Sequence, residues 1–377
     1  MNDRSVFSKR LLVNTNKSTQ NPMQRSLILF QSAIKSNSTL ETYGLALNRF
    51  RNHFLIKNCD SLLTFQPTKI QEMIEDFIIY RKNEGCSRST VRNNLNALQL
   101  FFSMNDIVCN WVKLKKMLPE QKKIRGATPY DTERVRQMLQ IFANSPKWFA
   151  LLHYLSSSGA RAGSIVELKI KHLGEMPNGC KSVKVYADTK DEYYTFIHHE
   201  AVNALNLYFE SRQKNGEILI PESWVFTRGR HPKDPIRSGD ITVRFLNSFR
   251  NRIDLGNTVD NRRDIEVVHG LRKRWNTIMK SNPNINSNHA EKMFGHSSTH
   301  SLDNVYHKPL LEQLFDEYQK AVPDLIIDEK YKLESKIQEQ QNEIHLLKEK
   351  DKQVEQLQKT ILQIQNNMLE LQRRVQS

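Results

Sequence analysis

The stretch His269-Gly270-Leu271-Arg272 is followed by Gly295-His296-Ser297-Ser298, 23 positions after Arg272, and then by Tyr306, ten positions after His296. Two histidines, an arginine and a tyrosine thus stand in fixed order within 38 positions. These residue types suit a phosphodiester. A guanidinium offers a flat, two-pronged donor to phosphate oxygens. Imidazoles donate hydrogen bonds or carry protons near neutral pH. A tyrosine hydroxyl can attack phosphorus and remain as a covalent ester. Taken singly, each residue has a plainer reading: a core histidine, a helix cap, a half-buried tyrosine. The joint order and spacing carry the argument.

The elements that must hold these groups lie upstream. Leu151 to Ser158 reads as an apolar helix, Ser158-Gly159 as a turn carrying Arg161, and a second helix follows with Ile165 and Leu168 inward. Val183 to Ala187 alternates like a strand, Asp188 to Glu192 is turn-like, and Tyr193 to Ile197 alternates again, which predicts a hairpin. Lys190 lies at its turn; Lys184 lies inside its first strand. With Arg161, Lys190, His269, Arg272, His296 and Tyr306 in this order, the segment from about Leu40 to Tyr318 resembles the tyrosine recombinase (phage integrase) family. The resemblance implies that these six are catalytic, with Lys184 as the rival to Lys190. One position departs: the family usually has Asp or Glu three residues after the first arginine, where this chain has Ser164. Glu167, one helical turn on, is the candidate substitute.

Composition bounds the partners. The 377 residues carry a net charge of +15. From Asp328 onward nine Lys/Arg balance nine Asp/Glu, so the whole excess lies in the first 327 residues. A basic body with a neutral tail suits a polyanion, with double-stranded DNA first. Cys59, Cys86, Cys109 and Cys180 form no C-x-x-C pair, so neither a zinc site nor a disulfide framework is expected. A reducing, cytoplasmic setting follows. No membrane partner is expected: Met1 to Met23 is polar and basic, unlike a secretory signal, and no apolar run reaches spanning length.

The expected fold is mainly α with a small antiparallel sheet (α+β). Residues 1–25 read as a flexible basic N-terminus. Residues 26–112 form a helical core-binding domain, 113–125 a lysine-rich linker, 126–322 the catalytic domain and 328–377 a coiled coil. In the helical domain Ser38 with Glu41 predicts a capping box, followed by the stripe Leu40, Tyr43, Leu47, Phe50 and Phe54. A second helix spans Ile70 to Arg81, and Ser87 opens a third with Val91, Leu95, Leu98, Phe101 and Phe102 inward. Arg88 and Arg92 near that helix start resemble the family's core-binding domain. Further on, Trp224-Val225-Phe226 reads as a buried strand, Ile241 to Ile253 as a helix, and Pro323 as the end of the domain. Leu310, Leu311, Leu314 and Phe315 continue an amphipathic helix that the resemblance would dock on a neighbouring subunit. In the tail, Val354, Leu357, Ile361, Ile364, Met368, Leu371 and Val375 keep 3-4 spacing. Leu333, Ile337, Ile344 and Leu347 fit an earlier register, offset around Lys350-Asp351-Lys352. This predicts an interrupted coiled coil for self-association.

The resemblance implies a mechanism. Tyr306 attacks the scissile phosphate and forms a 3′-phosphotyrosyl link. Arg161 and Arg272 stabilise the charge, Lys190 protonates the leaving 5′-oxygen, and His269 and His296 position the phosphate and move protons. No metal, ATP or other cofactor is implied, and exchange between two duplexes implies a homo-tetramer on DNA. Two alternatives stand beside this reading: a type IB topoisomerase-like enzyme with a similar residue set, and a catalytically silent DNA-binding or architectural protein of the same fold.

Overall fold

Helix starts in the first unit follow local chemistry. The structure, a computed structural model, describes residues 24–121, 128–229, 234–256, 258–259, 262–296 and 309–375. The chain divides into two units, Met1–Lys123 and Ile124–Ser377. The first holds α1 (Arg25–Ser32), α2 (Asn37–His53), α3 (Pro67–Asn83), α4 (Arg88–Met104) and α5 (Trp111–Lys116). Pro67 pre-sets the first turn of α3. Ser87 caps α4 by accepting from Thr90 N, and Asn110 caps α5 by accepting from Lys113 N. The expected capping box at Ser38 is absent. Helix α2 already starts at Asn37, and Ser36 precedes it without a side-chain cap. The apolar stripes meet in one core around Phe50, Phe77, Phe101 and Phe102, each at most 1% exposed. Leu114 joins that core, so Lys113 to Lys116 of the lysine-rich stretch are helical and folded into this unit.

The second unit is built around α7. After α6 (Thr132–Phe142), α7 (Pro146–Ser158) is buried at every position from Ala150 to Ser158. A helix buried on all sides belongs in the middle of a core. The expected helix after Arg161 is a 3-10 turn over Ala162–Glu167, with Ile165 and Leu168 buried as expected. Strands β1 (Leu173–Glu175), β2 (Lys181–Val185) and β3 (Tyr193–Ile197) form an antiparallel sheet in that order. The predicted hairpin pairs Lys181 with Ile197 and Val185 with Tyr193. Helices α8 (His199–Lys214) and α9 (Ser238–Phe249) follow, then the short pair β4 (Thr258–Val259) and β5 (Arg262–Arg263). Val225 and Phe226 are fully buried, yet Trp224 to Phe226 is no strand. Only isolated bridges, Lys169 to Trp224 and Thr227 to Pro235, form there. Pro235 has no N–H with which to extend a ladder.

Helices α10 (His269–Ser281) and α11 (Ser287–Met293) carry the distal site segments. Then come α12 (Leu311–Gln319), α13 (Val322–Leu325) and α14 (Glu329–Val375). Trp275, Phe196, Met293, Phe315 and Tyr318 make a second apolar cluster beside the main one. Helix α12 therefore packs on its own unit, with Tyr318 Oη donating to Ser157 O at 3.0 Å. Pro323 does not end the domain: it sits in the first turn of α13, where no N–H is needed. Leu325, Ile326 and Ile327 beyond it are all buried. The 47-residue α14, about 70 Å long at 1.5 Å per residue, leaves Leu333, Ile337, Ile344, Leu347, Val354, Leu357, Ile361 and Ile364 exposed. No helix among the described residues is long and apolar enough to cross a membrane.

Candidate active site

Arg161 and Arg272 converge from elements 111 positions apart. Helix α7 ends at Gly159, whose φ of 61° is left-handed. A Cβ there would lie 2.6 Å from the Trp275 ring, so only glycine lets α10 approach this turn. Two residues later Arg161 sends Nη1 to the carbonyl of Gly295 at 3.0 Å. Arg272, 3% exposed, donates through Nη1 to the Gly159 carbonyl at 2.6 Å and through Nη2 to the Phe294 carbonyl at 2.5 Å. Its guanidinium also lies 3.5 Å from the centroid of the Phe294 ring.

Consecutive carbonyls of Phe294 and Gly295 thus hold the two arginines. The segment is the C-terminal cap of α11. Gly295 N donates to Lys292 O and His296 N to Glu291 O, with Gly295 at φ 64°. This is the Schellman pattern. A Cβ at Gly295 would meet the Tyr193 ring at 2.4 Å, so glycine is required here for space as well as for conformation.

Neither guanidinium pairs with a carboxylate among the described residues. Burial pulls the Arg272 pKa down to about 10, and the nearby charge of Arg161 acts in the same direction. Two cations held close together, with one of them desolvated, favour an incoming anion. Tyr193 on β3 faces the same pair. It is buried, and burial raises its pKa while the charges of Arg272 and Arg161 oppose that shift.

His269 opens α10. Partial burial lowers its pKa, Glu266 opposes this, and Lys273, Arg272 and Arg161 lower it further. Its imidazole is therefore kept neutral around neutral pH and can accept a proton. His296 has Nδ1 2.6 Å from Glu291 Oε2, and its ring lies edge-on to Phe294 at 4.5 Å. Lys190 is exposed in the turn between β2 and β3, with no hydrogen bond or ion pair to another described residue. Lys184 is engaged, at 3.1 Å from Glu192 and 3.6 Å from Asp188. Ser164 is buried and donates to the Arg161 carbonyl at 2.7 Å, so it braces the backbone of Arg161 rather than its charge. Glu167 is exposed and forms no ion pair with Arg161 among the described residues. Tyr306 lies outside the described residues.

Sequence reasoning missed Tyr193 and Glu291. No local signal marks Tyr193 beyond its place in a strand that pairs beside the site. Glu291 stands five positions before His296, a spacing that becomes a contact only because Gly295 reverses the chain. Among the described residues no group of three His, Cys, Asp or Glu side chains is placed to hold a metal ion.

No protein-family model matches the chain, and no curated protein does. Solved structures are similar to it. The Tn1549 transposon integrase in complex with transposon right-end DNA gives a TM-score of 0.52 at 13% identity, covering 79% of this chain and 100% of that one. The same integrase with circular-intermediate DNA gives 0.50 at 15% identity, covering 78% and 99%. A lambda integrase dimer bound to a core site gives 0.49 at 18% identity, covering 75% and 92%. At such identities the shared property is the fold, and the Tn1549 integrase carries the comparison. The chain has the fold of the tyrosine recombinases and integrases, mainly helical with a small antiparallel sheet.

Proposed function

We propose that this protein is a site-specific tyrosine recombinase that cleaves and rejoins double-stranded DNA through a 3′-phosphotyrosyl intermediate. The observation that supports it most is the pairing of Arg161 and Arg272 on the carbonyls of Gly295 and Phe294, with no carboxylate partner among the described residues. In this reading both guanidiniums face the non-bridging oxygens as charge builds on them in the transition state. The Tyr306 oxygen attacks phosphorus while the bond to the 5′-oxygen breaks. His269, kept neutral, accepts the tyrosine proton. Lys190, unpaired among the described residues, protonates the leaving 5′-oxygen. Attack by a 5′-hydroxyl from a second strand reverses the step and releases Tyr306. The bond energy stays in the phosphotyrosyl ester, so ATP is not required, and the arginines take the electrostatic role a metal would have. Strand exchange needs two duplexes and four sites, hence a tetramer on DNA, with α14 contributing self-association through its exposed apolar seam.

The test uses nicked suicide duplexes drawn from DNA flanking the gene, with protein–DNA adducts read on a denaturing gel. The parent protein should form an adduct, and should still form it in EDTA. Tyr306→Phe should bind the same duplexes and form none. An adduct that persists in Tyr306→Phe would assign the nucleophile elsewhere. Complete, reversible loss on chelation with binding retained would sink the metal-free chemistry. Binding without any adduct would favour the silent architectural reading. Relaxation of supercoiled plasmid without strand exchange would favour a type IB topoisomerase.

A further inference from the structure

We infer that Glu291 is a positioning residue for His296: it takes Nδ1 of the ring and commits Nε2 to the scissile phosphate. The inference rests on the active-site reading above. Glu291 Oε2 lies 2.6 Å from His296 Nδ1, and its Oε1 contacts Lys280 Nζ on α10, the helix that also bears His269 and Arg272. The backbone repeats the tie, because His296 N donates to Glu291 O. The same cap supplies the carbonyl of Phe294 to Arg272 and that of Gly295 to Arg161. One turn of chain therefore sets two guanidiniums by its carbonyls and an imidazole by its side chain.

The plainer reading is a surface ion pair. Side-chain exposures of 44% for His296 and 31% for Glu291 make such a pair worth little in stability. What a carboxylate on Nδ1 does fix is the tautomer and orientation of the ring. Partial burial pushes the Glu291 carboxyl up, but contacts with Lys280 and His296 outweigh it and leave the group below the usual carboxylate range. Glu291 is thus a charged acceptor that keeps a proton on Nδ1 and directs Nε2 outward.

The experiment measures adduct formation by the full chain at saturating concentrations of the nicked suicide duplex, together with duplex affinity. Glu291→Ala should slow the adduct by about 10- to 100-fold, the usual cost of losing a group that orients a ligating or catalytic histidine, with affinity nearly unchanged. Glu291→Gln keeps an acceptor for Nδ1–H and should recover part of the rate. In a His296→Ala background, Glu291→Ala should add almost nothing, because coupled residues are not additive. An equal loss with and without His296, or a Glu291→Ala rate matching the parent, overturns the inference. If the parent forms no adduct, the active-site reading fails by itself. The inference is then decided by the ¹⁵N spectrum of His296: a proton on Nδ1 in the parent, with that preference lost in Glu291→Ala, supports it, and an unchanged tautomer overturns it.

Discussion

A guanidinium that is both buried and bidentate cannot be exchanged for an ammonium without loss. Arg272 uses two nitrogens on two carbonyls, Gly159 and Phe294, while its plane lies on the Phe294 ring. Lysine keeps the charge but has one compact donor head and no plane to stack. Arg272→Lys should therefore lower the rate of adduct formation by about 10²–10³, the cost of one preorganised donor, while DNA affinity falls little. A variant that cleaved within a few-fold of the parent would remove Arg272 from phosphate stabilisation. At this scale the sequence announces spacing well where the spacing is made locally. His269 and Arg272 share the first turn of α10, and Gly295-His296 is the Schellman cap of α11. It cannot announce partners that meet only after folding. The carbonyls that receive Arg161 and Arg272 and the Tyr193 hydroxyl come from other elements, and the Glu291 carboxylate reaches His296 only through the chain reversal in the cap of α11. Lys184 and Lys190 differ in the same way: alternation puts one in a strand and one in a turn, but only the folded hairpin ties Lys184 to Asp188 and Glu192.

Helices and strands are held here by polar groups as well as by the apolar core, and one buried cluster gives an element-scale test. His153 on α7 and His198 just before α8 are buried. Among the described residues His153 Nδ1 and both ring nitrogens of His198 have no hydrogen-bond partner, although His198 Nδ1 lies 4.0 Å from Glu200 Oε2. Burial lowers both pKa values, that of His153 to about 3. The groups facing them are Glu200, Arg274, His199 and Asp328, and the two rings disfavour each other's charge. A histidine held neutral in the fold gives stability that is complete above its unfolded value of 6.5 and lost as pH falls below it. Glu200 works the other way. Burial raises its carboxyl to about 7 although Ile327 N and Asp328 N both donate to it, so folding gains as pH falls from about 7 toward 4.5. Between pH 6.5 and 4.5 two histidines oppose one carboxyl, and the fold loses stability on acidification. We expect His198→Phe to flatten the dependence of Tm on pH between 7 and 5, since His153 and Glu200 then nearly cancel. An unchanged slope would show that His198 does not stay neutral in the fold. None of this was visible beforehand, because a lone histidine in an apolar stretch reads the same whether it is core or site. The stripes of α2 to α4 and the β2–β3 hairpin were visible, since their period of burial is written residue by residue. Trp224 to Phe226 reads as a strand in the sequence but forms only an isolated bridge, because short apolar runs report burial, not pairing.

On the scale of the whole chain, charge and apolar surface are divided between different parts. The excess of +15 lies before Asp328, and the last 50 residues are neutral overall. Helix α14 is rooted in the second unit: Glu200 accepts from Ile327 N and Asp328 N, and Tyr331 Oη accepts from Asn203 Nδ2 at 3.3 Å. Beyond Tyr331 the exposed residues Leu333, Ile337, Ile344, Leu347, Val354, Leu357, Ile361 and Ile364 line the helix at coiled-coil spacing. The resemblance led to the expectation that the segment after Tyr306 docks on a neighbour, but α12 buries Leu314, Phe315 and Tyr318 in its own unit. That leaves α14 as the larger unpartnered apolar surface near the C-terminus. A truncation should therefore keep the root and remove only residues 333–377, which carry seven basic and seven acidic side chains. A neutral segment displaces few counterions, so affinity for a single duplex and its salt dependence should stay nearly unchanged. Self-association of the free protein, measured by light scattering, should fall. Recombinant yield should fall more than adduct yield, because cleavage needs one active site whereas exchange needs an assembled set. Should the truncated protein self-associate as before while losing most of its DNA affinity, α14 would be a DNA-binding element, and its neutral charge would have to be read as local patches of opposite sign.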